Sequence, residues 1–232
     1  MATRNGLIKK TPLKEFESIR KVGKIAIHLL ENDELIGVEV ASGNDDILIA
    51  SHHGKAIRFN EQDVRSMGRD SQGVRSMKLT ADDYIVDMAV VKENSQIVTI
   101  SERGYGKRCP SNEFRLQTRG GMGVKAGVFN EKTGKLVALK QSIEDNDILL
   151  VADNGVVIRT PLEQISSLSR VSQGVKVMRL KEENMVVSVA LLEKDESEET
   201  DENGEELNNL TNEQENAILE RQENLETDNN QN

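Results

Sequence analysis

Ile47-Leu48-Ile49-Ala50-Ser51-His52-His53-Gly54-Lys55-Ala56-Ile57-Arg58-Phe59 reads as two short strands joined by a tight turn. Residues 47–50 are apolar without a break, and residues 55–59 mix apolar with basic side chains. Between them Ser-His-His-Gly ends in the one residue that takes positive φ without a Cβ clash. The pattern returns at 97–100 before Gly104 and at 148–151 before Gly155.

Outward from this hairpin the chain is a repeat. Gly6, Gly54, Gly104 and Gly155 recur at spacings of 48, 50 and 51, and Gly23, Gly73, Gly123 and Gly174 at 50, 50 and 51. The first series precedes Leu-Ile-Lys-Lys, Lys-Ala-Ile-Arg, Tyr-Gly-Lys-Arg and Val-Val-Ile-Arg. The second lies in Val-Gly-Lys, Gln-Gly-Val-Arg, Met-Gly-Val-Lys and Gln-Gly-Val-Lys. Asn5-Gly6 and Asn154-Gly155 are turn dipeptides; the second series marks a turn, a bulge or a close backbone approach. With the β-rich stretch 84–91, each unit of about 50 residues holds about four strands, the size of a propeller blade. The units run about 1–50, 51–100, 101–151 and 152–194. The connectors 11–22, 60–72, 110–122 and 161–173 are too long for hairpin turns, and either hold a helical turn or cross to a neighbouring unit.

The register bears on the ends of the array. Met1 stands five residues before Gly6, where Ile49, Thr99 and Leu150 stand within strands. The array is therefore expected to open inside a strand. Residues 186–192 complete the last expected strand of the fourth unit. Four units are few for a closed ring, so an open or incomplete array is expected.

Charge divides the chain in two. Of 30 basic and 40 acidic residues, 15 acids and two bases fall in 193–232, giving that segment a net charge of −13. Residues 1–192 carry 28 bases and 25 acids, a net +3. Residues 195–232 thus read as an acidic, mostly disordered tail on a mildly basic all-β domain spanning 1–194. Such a tail competes with a ligand for the basic surface or merely aids solubility. No apolar run reaches the ~18 residues of a membrane span, and no signal-peptide core stands at the start, which points to the cytoplasm. The single Cys109 excludes an internal disulfide framework, and His52-His53 read as exposed turn residues rather than metal ligands.

Basic residues recur in register. Lys10, Arg58, Arg108 and Arg159 stand four after the first-series glycines; Arg69, Arg119 and Arg170 stand four before the second series; Arg75, Lys125 and Lys176 stand two after it. Units set around an axis place equivalent positions on one rim. A basic rim suits duplex phosphates, because Lys and Arg displace condensed counterions and favour a bent path. Charges paired with local acids for solubility are the alternative. An aromatic content of 3% disfavours single-strand stacking, and no recognition helix suggests base readout.

The motifs Asn-Gly-Leu-Ile-Lys-Lys-Thr-Pro-Leu-Lys-Glu-Phe (5–16), Asp-Glu-Leu-Ile-Gly-Val (33–38), Gly-Lys-Ala-Ile-Arg-Phe (54–59), Val-Arg-Ser-Met-Gly-Arg (64–69) and Gly-Tyr-Gly-Lys-Arg (104–108) closely resemble the C-terminal domain of DNA gyrase A, through about residue 194. The resemblance implies a β-pinwheel: propeller-like, four-stranded blades with exchanged strands, whose rim wraps duplex DNA. It further implies, as partners, the remainder of gyrase A together with gyrase B, with ATP and Mg used elsewhere in that assembly and no cofactor in this chain. Gln117, Arg119, Gly120, Gly121 and Gly123 match the family's Gln-(Arg/Lys)-Arg-Gly-Gly-(Arg/Lys)-Gly box, with Thr118 and Met122 replacing basic residues. The family's box lies in its first blade, whereas this copy lies in the third unit, so it reads as a degenerate copy. Arg119 there is a candidate phosphate ligand. Tyr84 and Tyr105 do not match the family's nucleophilic tyrosine and no P-loop is present, so no catalysis is expected from this chain. The matching C-terminal domain of topoisomerase IV, and a propeller-like protein-interaction module, are the alternative readings.

Overall fold

The computed structural model describes residues 1–18, 21–142, 146–181 and 183–192. The acidic segment 195–232 lies outside the described residues, and with it the expectation of disorder there. Each later unit begins about five residues before the boundary expected from the sequence, at the first strand of its hairpin. The first unit contributes β1 (Ala2–Thr3), β2 (Leu7–Ile8) and β3 (Leu35–Gly37), and the second β4 (Asp46–Ser51), β5 (Lys55–Asn60), β6 (Val74–Arg75) and β7 (Ile85–Val91). The third contributes β8 (Gln96–Ser101), β9 (Tyr105–Pro110), β10 (Val124–Lys125) and β11 (Leu136–Ser142), and the fourth β12 (Asp147–Ala152), β13 (Val157–Pro161), β14 (Val175–Lys176) and β15 (Val186–Leu192). The expected all-β blades are present.

Unit and blade do not coincide, however. The sheets run β3-β1-β2-β6, β7-β4-β5-β10, β11-β8-β9-β14 and β15-β12-β13. Each of the first three takes its last strand from the following unit. Among the described residues the fourth blade has three strands, and the first unit's counterpart of β6, at Gly23-Lys24-Ile25, joins no sheet. Strands β3, β7, β11 and β15 pack in succession against one another and form the inner ring. The exchanged strands β6, β10 and β14 form the opposite edge, the outer rim.

The connectors realise both sequence options. Each opens with a 3-10 turn, at Leu13–Phe16, Glu61–Asp63, Ser111–Glu113 and Leu162–Gln164. Prolines fit three of these starts because Pro12, Pro110 and Pro161 fix φ near the required value, and Asn60 caps the other by accepting from the Gln62 N–H. The last three connectors then cross to the preceding blade, forming parallel bridges Lys10↔Ser66, Arg58↔Leu116 and Arg108↔Ser167.

The core explains the unbroken apolar runs. Ile47 and Ile49 of β4 pack with Ile8, Phe59 and Met77 toward the first blade, whereas Leu48 and Ala50 pack with Ile97, Leu136 and Leu139 toward the third. Alternate side chains of one strand thus enter two cores, so both faces of the strand are apolar. In β12, Ile148, Leu150 and Ala152 are buried against the third blade, while Leu149 and Val151 are half-buried on the far face.

The second glycine series is a close-approach device. A Cβ at Gly73, Gly123 or Gly174 would stand 2.6, 2.4 or 2.6 Å from the carbonyl oxygen of Ile8, Ala56 or Gly106, each on the strand receiving the exchange. All three glycines also have positive φ. Only glycine satisfies both conditions.

Candidate nucleic-acid interface

The ten basic positions singled out by the sequence separate into three groups. Lys10, Arg58, Arg108 and Arg159 sit on or beside the second strand of each hairpin. Three are neutralised locally: Lys10 Nζ lies 3.3 Å from Glu61, Arg58 Nη2 2.8 Å from Asp46, and Arg159 Nε 2.6 Å from Asp147. Arg108 instead donates from Nε to the Ile165 carbonyl at 2.7 Å and from Nη2 to the Glu163 carbonyl at 3.2 Å.

Arg69, Arg119 and Arg170 form a series of clamps between units. Arg69 donates to the Ile25 carbonyl at 2.9 Å, Arg119 to those of Asp63 and Arg75, and Arg170 to those of Glu113 and Lys125. Each grips the residue two beyond the second-series glycine of the preceding unit. In Arg119 and Arg170 the guanidinium fork suits the bridging of two carbonyls, and its charge still contributes to the local field. The box loop is built into the same joint. The Gln117 N–H bonds the Arg58 carbonyl, the Gly120 N–H bonds the Ser76 carbonyl, the Gly121 carbonyl accepts from Lys78, and Gly123 makes the close approach to Ala56.

Arg75, Lys125 and Lys176 are exposed, one at the end of each exchanged strand. Lys176 lies over the Tyr105 ring and donates to the Arg103 carbonyl at 3.1 Å. Lys125 stands directly across from Lys55 of β5. Like charges directly opposite one another repel, and a bound anion relieves that repulsion. Lys55 is not among the sequence candidates, because it lies one after the glycine, where the other units carry Leu7, Tyr105 and Val156.

Two lysines outside the sequence candidates are buried. Lys9 Nζ donates to the carbonyls of Ala26, Gly68, Arg69 and Ser71, and Lys107 Nζ to those of Ser169, Arg170 and Ser172. Burial lowers both amines, Lys107 to about 8. A signal for them exists in the repeat: Lys9 and Lys107 stand three after the first-series glycine, where the other units place Ile57 and Ile158. A lysine at a core register needs acceptors, and the following connector supplies them. Between the second and third blades, Asp87 accepts from Lys140 and the Leu139 N–H.

His52 and His53 are not the exposed, partnerless turn residues expected. Both are half-buried; His52 stacks on Tyr84 at 4.5 Å and approaches Glu102 at 3.6 Å, and His53 lies 3.9 Å from Asp83. Arg4 covers the other side of Tyr84 at 3.7 Å. Among the described residues no cluster of three His, Cys, Asp or Glu is placed to hold a metal ion. No helix there is long and apolar enough to cross a membrane. Burial pushes the Cys109 thiol up to about 11, away from the reactive thiolate.

Blades that exchange edge strands and carry a basic residue at each exchange define a repeat-built domain of the β-propeller type with a charged rim. The family described as DNA gyrase C-terminal domain, beta-propeller, matches residues 1–42, 45–92, 95–142 and 146–193, and the chain belongs to it. The DNA gyrase A protein of Staphylococcus aureus (strain NCTC 8325 / PS 47) is 39% identical over 203 residues, covering 87% of this chain and 23% of that protein. The chain thus spans about a quarter of the length of such relatives. A solved DNA gyrase A C-terminal domain superposes with a TM-score of 0.73 at 31% identity, over 82% of this chain and 64% of the other. The C-terminal domain of DNA topoisomerase IV superposes with a TM-score of 0.77 at 27% identity, over 83% and 60%.

Proposed function

We propose that this chain binds duplex DNA along its outer rim and bends it around the blade array, as the DNA-wrapping part of a gyrase A protein. The observation that carries the reading is the exposed basic residue at the same register of each exchanged strand: Arg75, Lys125 and Lys176. Three such charges one blade apart follow a curved phosphate backbone without reading bases. Lys55 opposite Lys125 adds a second cation at one of these points. The flanking series Lys10, Arg58, Arg69, Arg108, Arg119, Arg159 and Arg170 contributes field more than direct contact, since each already has partners within the protein. In the box, Gln117, Arg119, Gly120, Gly121 and Gly123 all set the joint between blades, and phosphate contact there is secondary.

On this reading the chain performs no catalysis. Strand passage, ATP and Mg belong to the remainder of gyrase A and to gyrase B, in a bacterial cytoplasm. The test is ligation of nicked plasmid with bound protein, followed by removal of the protein and measurement of linking number. A dose-dependent shift of one sign is expected. Confirmed duplex binding without any shift would reduce the function to passive binding. The likeness to the topoisomerase IV domain supports a second reading, the corresponding domain of a topoisomerase IV protein.

A further inference from the structure

Three connectors cross over the hairpin of the preceding unit, and two of these joints are closed by a buried ammonium. Lys9 Nζ donates to the carbonyls five, four and two residues before Gly73, at 2.9 Å to Gly68, 2.6 Å to Arg69 and 3.3 Å to Ser71. Lys107 Nζ meets the same positions before Gly174, at 3.2 Å to Ser169 and 2.7 Å to Ser172, with Arg170 between them. Each of these connectors also carries a serine that serves the first carbonyl. Ser71 Oγ donates to Gly68 and Ser172 Oγ to Ser169, both at 2.8 Å.

The joint between the second and third units keeps this frame and lacks both donors. The Gln117 N–H bonds the Arg58 carbonyl, as that of Met67 bonds Lys10 and that of Leu168 bonds Arg108. The Lys78 N–H bonds the Gly121 carbonyl, as those of His28 and Val128 bond Ser71 and Ser172. The carbonyls that correspond to the lysine acceptors are therefore those of Thr118, Arg119 and Gly121. Ile57, fully buried, stands where the lysine would, and Gly121 stands where the serine would. Among the described residues no hydrogen bond reaches the carbonyl oxygens of Thr118 and Arg119. In the same connector the Gln117 Nε2 is buried without a partner, at the register where the lysine joints have Met67 and Leu168.

The backbone has not closed over the loss. Isoleucine ends short of where the lysine nitrogen lies, and a carbon added at Gly121 would stand 3.6 Å from both the Ile57 Cδ1 and the Thr118 oxygen. These are ordinary contact distances, so an atom fits beside that oxygen.

We propose that a monovalent cation of ammonium size, K+, closes this joint on the carbonyls of Thr118, Arg119 and Gly121 in place of a lysine. Neutral carbonyl oxygens replace the water shell of K+ by the same ion–dipole attraction that holds an ammonium. Buried carbonyls left unpaired are costly, and the ion offsets that cost. No carboxylate stands among these oxygens, which disfavours Mg2+ and Ca2+. The Gln117 amide, turned over so that its oxygen takes the place of its nitrogen, is a further ligand. The Arg119 guanidinium is engaged away from the loop, on the Asp63 and Arg75 carbonyls.

Thermal unfolding of the full chain in KCl and in tetramethylammonium chloride, at one ionic strength, tests the assignment. K+ should raise the midpoint saturably, by about 2–4 °C over the larger cation. Two variants should abolish that difference. Ile57→Lys supplies the ammonium the other joints contain. Gly121→Ser supplies the hydroxyl and fills the space, and it leaves the core untouched because Gly121 lacks a positive φ and its Cβ meets only ordinary contacts. A midpoint indifferent to K+ overturns the inference. So does a K+ effect that Gly121→Ser leaves unchanged, since the ion would then sit elsewhere.

Discussion

The Nζ of Lys107, in the third unit, lies 2.7 Å from the carbonyl oxygen of Ser172, in the fourth. With the Ser169 and Arg170 carbonyls it fixes the following connector over the hairpin it crosses. Lys107→Met removes the ammonium and leaves buried acceptors without a donor. A stability loss of about 2–3 kcal/mol is expected in urea unfolding. A loss within error would show that the loop carbonyls are met by water instead.

The same lysine sets a pH dependence. Its amine ordinarily titrates at 10.5, and burial pushes it down to about 8. Below about pH 8 both folded and unfolded chains hold the proton. Between the two values the unfolded chain holds it more firmly, so stability rises with pH, by up to about 3 kcal/mol at the top of the window. Unfolding at pH about 7.5 and about 10 should therefore show the native chain gaining on Lys107→Met. A gap that narrows with pH reverses the sign and refutes the account.

Arg75, Lys125 and Lys176 are exposed at the outer edge, so changing all three to Gln should leave unfolding nearly unaltered. Duplex affinity should fall, and the slope of log affinity against log salt should flatten by about 3, close to one unit for each lost phosphate contact. An unchanged slope would place the DNA elsewhere on the molecule.

Arg119→Lys offers the opposite signature. Lysine keeps the charge but cannot bridge the Asp63 and Arg75 carbonyls as a planar fork does. A stability loss of about 1 kcal/mol is expected, with the salt slope of DNA binding retained. Calorimetry and a salt titration on one preparation decide between clamp and ligand.

The two glycine series can be weighed against each other. Gly155→Ala meets open space and costs only its backbone conformation, about 1 kcal/mol. Gly123→Ala carries that cost and also drives Cβ to 2.4 Å from the Ala56 oxygen, for about 1–3 kcal/mol more. Equal costs would mean that the receiving strand yields freely.

The hairpins, their spacing and the apolar cores are legible in the residues because strand pairing over a tight turn is local. Ile47 and Ile49 need only their neighbours and Gly54 to be placed. What the residues alone do not reveal is where each outer strand goes. Val74-Arg75 is two residues long and pairs with Leu7-Ile8, nearly 70 positions earlier; only family resemblance anticipates that exchange. The basic register is visible, but its division is not. Arg119 and Lys125 look alike in sequence, and the carbonyls that claim Arg119 are separated from it by 56 and 44 positions. Lys9 and Lys107 are masked by the neighbouring Lys10 and Arg108, which recur in all four units, although Ile57 and Ile158 mark the lysines' own register as core.

Because each blade borrows its rim strand from the unit that follows, the units overlap like roof tiles laid in one direction. Tension applied from the C-terminal side lifts the fourth unit first and strips β14 from β9 as it leaves, exposing the next edge. Tension from the N-terminal side must draw the first unit from beneath β6, which the second unit still holds. Mechanically, the array has a grain.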